Sequence, residues 1–125
     1  EETRLILPLS DQVLRESCRQ FMQWQRESPS FAPSYNSVNL SRIQLADPDL
    51  VPRTMGILRE TGIAPHQVQL EVTESQLMQH RVMAGELLAA FKAEALFRWM
   101  QQNPEPGIAL ATNLARLMAV RIALS

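Results

Sequence analysis

Between Gln67 and Val72 the apolar residues fall at every second position: Val68, Leu70 and Val72 alternate with Gln67, Gln69 and Glu71. That is the period of a half-buried strand. The stretch Tyr35–Leu40 predicts another strand. Residues 10–26 carry helical spacing instead. Val13, Leu14, Cys18, Phe21 and Met22 make one apolar stripe, with Ser10 as cap and Asp11 in the first turn. Ser28-Pro29 ends that helix. A second helix follows Asp47-Pro48, an N-cap residue and a proline at the first helical position. Its Leu50, Val51, Met55 and Leu58 point inward, and Gly62 closes it. A further helix runs from near Leu77 to near Lys92. Strand and helix alternate along the chain, which argues for parallel α/β units.

Composition narrows the picture. The chain has 125 residues, a net charge of -1 and 46% hydrophobic residues, one ordinary domain with enough apolar mass for a core. Near-neutral charge gives no basic footprint for a nucleic-acid polymer or a membrane surface. No apolar run reaches the roughly 20 residues of a membrane span. The single cysteine, Cys18, has no partner for an internal disulfide and fits a reducing compartment. It sits on the apolar stripe and is expected to be buried and inert. His66 and His80 have no metal-ligand spacing, and Trp24 and Trp99 are expected to pack in the core.

Two strands end in polar groups, in the runs Ser37-Val38-Asn39-Leu40-Ser41 and Glu71-Val72-Thr73-Glu74-Ser75. A carboxamide and carboxylates at the C-terminal ends of adjacent parallel strands suit a hard cation. Asn39, Glu71 and Glu74 are therefore the first candidates for a site. Plainer roles compete: Asn39 can satisfy backbone groups in a turn, and both glutamates can be solvated strand-end charges.

A third run, Glu94-Ala95-Leu96-Phe97-Arg98-Trp99, completes a pattern. Together the three runs resemble the EAL domain, the family of cyclic-di-GMP phosphodiesterases and their degenerate relatives. That family opens with a Glu-Ala-Leu-x-Arg-Trp strand, followed by Val-Asn-x-Ser and Glu-x-Thr-Glu-Ser strands. The order here differs. Residues 94–119 resemble the family's opening segment, residues 1–93 the segments that follow it, and residues 120–125 the next strand. The resemblance implies a partial or rearranged TIM-like (β/α) barrel, because a complete one takes about 250 residues. Residues 82–99 also read as one continuous helix, with Leu87, Leu88, Phe91 and Ala95 on a face and Glu94 as an exposed charge.

The resemblance implies hydrolysis of cyclic-di-GMP to linear pGpG by a water held between two Mg²⁺ or Mn²⁺ ions. On that footing Glu94, Asn39 and Glu71 are the metal ligands, and Glu74 steadies the neighbouring active-site loop. Arg98 contacts a substrate phosphate, with Leu96 beside it. The family's Asp-Asp-Phe-Gly run has no counterpart: Ser125 stands where its first aspartate would fall. Asp11, Asp47 and Asp49 lie at helix starts, and Lys92, the only lysine, lies on a helix. Ligands of a two-metal site act as a unit, so this chain by itself is expected not to hydrolyse cyclic-di-GMP. The alternative is a degenerate module that binds cyclic-di-GMP or a protein partner without catalysis. The second messenger and the lone thiol suggest a cytoplasmic location, with a sensory or GGDEF domain as neighbour. Open strand edges in an incomplete barrel predict a homodimer or strand-swapped oligomer.

Overall fold

The computed structural model describes residues 2–102 and 121–124. Helix α1 (Glu2–Glu27) leads to strand β1 (Asn36–Asn39), then helices α2 (Arg42–Ala46) and α3 (Leu50–Thr61). A 3-10 turn at Pro65–Gln67 opens strand β2 (Val68–Val72), followed by α4 (Glu74–Gln79), α5 (Arg81–Gln102) and β3 (Arg121–Leu124). The strands form one parallel sheet in the order β1-β2-β3. The alternation that predicts β2 is reproduced: Val68, Leu70 and Val72 are buried, while Gln69 and Glu71 are half-buried. The expected third strand is present as β3.

The sheet's buried face packs with the helices around Phe21, Leu45, Leu58, Ile63, Leu87 and Phe91. α1 contributes Leu14, Cys18 and Phe21, three residues spaced to lie on one side of a helix. Cys18 is fully buried, as expected, and burial pushes its thiol pKa up. Val13, placed on the stripe by its spacing, stays largely in solvent, and Trp24 is 48% exposed rather than packed in the core.

Two boundaries differ from expectation. α1 begins well before Ser10 and runs through Pro8, so Ser10 lies within the helix instead of capping it. Pro8 lies beyond the first turn, so the helix runs on at the cost of one ladder hydrogen bond. Asp47 is not the N-cap of α3. It ends α2, and its carboxylate accepts from the Asp49 backbone N–H at 3.1 Å and from Arg53 Nη1 at 2.7 Å. Asp49 becomes the residue before α3, because Asp47 holds the turn in which Pro48 sits. Gly62 does cap α3, with φ of 82° and its N–H donated to the Leu58 carbonyl at 3.0 Å.

The largest correction concerns Glu94–Trp99. This run is helix, the last third of α5, and not a strand. Leu87, Phe91, Glu94 and Ala95 are its buried residues at helical spacing, and no glycine or proline falls between Gly85 and Pro104 to stop it. The continuous-helix alternative is correct about the backbone, but Glu94 is buried where that reading makes it exposed. The expected connecting loop at 103–108 and the segment 114–119 lie outside the described residues. Among the described residues, no helix is long and apolar enough to cross a membrane.

Candidate functional site at the strand ends

In a parallel pair, residues in register point to the same side of the sheet. Ser37 pairs with Gln69 and Asn39 with Glu71. These four side chains therefore share the face opposite Val38, Leu70 and Val72. Ser37 and Asn39 are exposed on it, and Gln69 and Glu71 half-exposed. Asn39 and Glu71 stand side by side at the C-terminal end, the end where parallel α/β folds place ligands. Ser37 Oγ donates to Glu71 Oε1 at 2.7 Å, and Gln69 Nε2 approaches the same oxygen at 3.5 Å. Among the described residues both contacts fall on one oxygen, which leaves the other for a further ligand.

Much of each polar run serves to start a helix. Ser41 accepts from the Gln44 N–H at 3.2 Å, and Gln44 Oε1 accepts in return from the Ser41 N–H at 2.9 Å. Thr73 and Gln76 repeat this reciprocal pair at 3.1 and 2.9 Å. These capping boxes turn the chain from each strand end directly into a helix. Glu74 is exposed in the first turn of α4, where a carboxylate faces the positive end of the helix dipole.

Glu94, Arg98 and Leu96 are not gathered with Asn39 and Glu71. Glu94 sits on the buried side of α5, clasped by two arginines. Arg59 of α3 donates through Nε at 3.3 Å and Nη2 at 2.9 Å, and Arg98 through Nε at 3.2 Å. This holds the Glu94 carboxyl below its ordinary pKa, with the Arg59 hydrogen bonds the largest cause and burial opposing them. Arg98 Nη1 also donates to the Ile63 carbonyl at 2.6 Å. Ile63 precedes β2, whereas Glu71 is near its end, so the clasp belongs to the opposite end of the sheet. Leu96 lies on α5 one turn from Met100, and both are exposed.

The donors that remain are one carboxylate and one carboxamide. Among the described residues, no three His, Cys, Asp or Glu side chains are close enough to hold a metal together. The pair fits Mg²⁺ or Mn²⁺ shared with the phosphates of a ligand, which is how Mg²⁺ is commonly held, but not a cage made by protein alone. An open groove of about 550 Å³ lies where α2 and α4 meet the start of α5, lined by Leu45, Met78, His80, Val82 and Met83 among others, and it includes neither Asn39 nor Glu71.

Comparison with known proteins bears on the family and the fold. The EAL domain profile matches residues 1–96. The bifunctional diguanylate cyclase/cyclic di-GMP phosphodiesterase MucR of Pseudomonas aeruginosa is 37% identical over 79 residues, 63% of this chain and 11% of that protein. The oxygen sensor protein DosP of Escherichia coli is 34% identical over 68 residues, 54% of this chain and 8% of that protein. A solved structure of the MucR phosphodiesterase in complex with c-di-GMP superposes with a TM-score of 0.63 at 34% identity, covering 72% of this chain and 37% of that one. The chain thus spans only a small part of these relatives. A profile match over most of its length, and a fold shared with a solved phosphodiesterase, show that this chain belongs to the EAL domain family.

Proposed function

We propose that this chain is the nucleotide-recognising part of an EAL-type cyclic-di-GMP signalling domain, binding cyclic-di-GMP together with Mg²⁺ or Mn²⁺ and not hydrolysing it by itself. The observation that carries this is the in-register pair Asn39 and Glu71 at the C-terminal end of two parallel strands. Two neighbouring oxygen donors complete a divalent ion's shell only with ligand phosphates and water, so nucleotide and metal bind together. The MucR structure was solved as a c-di-GMP complex, which supports the choice of nucleotide. When bound, the ion would neutralise phosphate charge. Asn39 would orient it through its amide oxygen, and Glu71 through the carboxylate oxygen that Ser37 does not occupy.

Lack of hydrolysis follows from the donor count. Glu94, the third acidic residue of the family pattern, is committed to Arg59 and Arg98. Incubation with cyclic-di-GMP and Mg²⁺, followed by chromatography, is expected to return intact nucleotide. Appearance of pGpG that is lost in Glu71→Ala would overturn this part of the reading. A cytoplasmic location and a neighbouring sensory or GGDEF domain fit the same role, since the ligand is an intracellular second messenger. Fractionation of cells expressing the full-length protein checks the location.

A further inference from the structure

Ser37 precedes Asn39 by one pleat of β1 and shares its side of the sheet. Glu71 stands in register with Asn39 on β2, so Ser37 lies diagonally behind it. The Ser37 hydroxyl donates to Glu71 Oε1 at 2.7 Å, the separation of a well-formed O–H···O bond. Gln69 Nε2 reaches the same oxygen at 3.5 Å, a much weaker contact. The fold has little need of the serine bond. The backbone ladder sets the register of β1 on β2, and buried Leu70 and Val72 anchor the sheet. Ser37 is exposed and Glu71 half-buried, so burial does not force either group to find a partner. What the bond does fix is the orientation of a long, otherwise freely rotating glutamate.

We propose that Ser37 is a positioning residue that makes Glu71 a one-oxygen ligand, and that it thereby sets the preference of the site for Mg²⁺ over Ca²⁺. The proposal rests on the ion and nucleotide reading above and names what tunes that site. An Oε1 whose lone pairs are engaged by a hydroxyl and an amide is a poor donor to a cation, which leaves the ion Oε2. Mg²⁺ accepts that arrangement. It is small, holds to octahedral geometry, keeps several waters and needs only one or two carboxylates beside ligand phosphates. Ca²⁺ gathers about six to eight oxygens and readily takes both from one carboxylate. Ser37 withholds the second oxygen, so Ca²⁺ loses more than Mg²⁺ does. The same bond orders the carboxylate before the ion arrives, which removes part of the entropy cost of binding Mg²⁺.

Calorimetric titration with cyclic-di-GMP tests this, at fixed Mg²⁺ and separately at fixed Ca²⁺, in wild type, Ser37→Ala and Ser37→Thr. In Ser37→Ala the Mg²⁺-supported affinity should fall about ten-fold, as is usual when a partner of a ligand carboxylate is removed. The Ca²⁺-supported affinity should hold or rise, because both Glu71 oxygens become available to the ion. Threonine keeps the hydroxyl and suits a strand, so Ser37→Thr should restore the wild-type preference. Circular dichroism establishes that each variant is folded. Equal losses with both ions would mean that Ser37 acts only on the fold. That result, an unchanged preference in Ser37→Ala, or a Ser37→Thr that behaves like Ser37→Ala would overturn this proposal and leave the nucleotide reading in place. A wild-type chain that binds no cyclic-di-GMP with Mg²⁺ would overturn both.

Discussion

At the scale of single residues, Glu94 shows how position decides the role of a carboxylate. The face of α5 marked by Leu87, Phe91 and Ala95 takes Glu94 into the interior, where an unpaired charge is costly. Arg59 and Arg98 offset that cost, and Arg98 ties the clasp to the Ile63 carbonyl. Removing the carboxylate leaves two arginines facing each other. Glu94→Ala should destabilise by about 1–3 kcal/mol, below the full value for a buried pair because Arg59 is largely exposed. A urea titration measures this, and an unchanged midpoint would mean the clasp contributes nothing. The same carboxylate has a pH signature. Its native pKa lies below the ordinary value, so its contribution is complete above the unfolded glutamate pKa of about 4.3. It is lost as the pH falls below that and through the lower native value. Acid unfolding of Glu94→Gln should therefore be shallower than wild type in this window, with the two curves parallel above pH about 6. The Glu-Ala-Leu spelling and the partner one turn on, Arg98, are visible in the sequence, but nothing local to residue 94 reveals that its second partner comes from residue 59.

At the scale of elements, the legible features are those that act locally. Alternation at Val68, Leu70 and Val72 is enough for β2, and Gly62 is enough for the end of α3. The two capping boxes are also local signals, Ser41-x-x-Gln44 and Thr73-x-x-Gln76, and they explain why a hydroxyl follows each strand end. They are easily passed over when the neighbouring Asn39, Glu71 and Glu74 suggest chemistry. Ser41→Ala and Thr73→Ala should each cost about 1 kcal/mol, read as a lowered thermal midpoint. Neither should abolish nucleotide binding outright, since the hydroxyls are spent on the backbone. Helix α5 marks the limit of local reading. Strand and helix both suit Glu94–Trp99 by composition, and the preceding Leu87–Phe91 period settles it by carrying the helix onward.

At the scale of the whole molecule, fold class and family are readable because three short runs suffice to identify them. The gathering of the site is not, because it depends on which ends of which elements meet. Parallel register brings Asn39 and Glu71 together, and the helical course of α5 carries Glu94 and Arg98 to the other end of the sheet. On the proposed reading, a partial TIM-like fold with one such donor pair among the described residues recognises the nucleotide without cleaving it. The measurement that tests this most directly is calorimetric titration of the chain with cyclic-di-GMP, with and without Mg²⁺, in wild type and in Asn39→Ala, Glu71→Ala and Arg98→Ala. The account predicts heat only when Mg²⁺ is present, lost in Asn39→Ala and Glu71→Ala and kept in Arg98→Ala. Binding that ignores Mg²⁺ and disappears in Arg98→Ala would contradict it, and so would no binding in either condition.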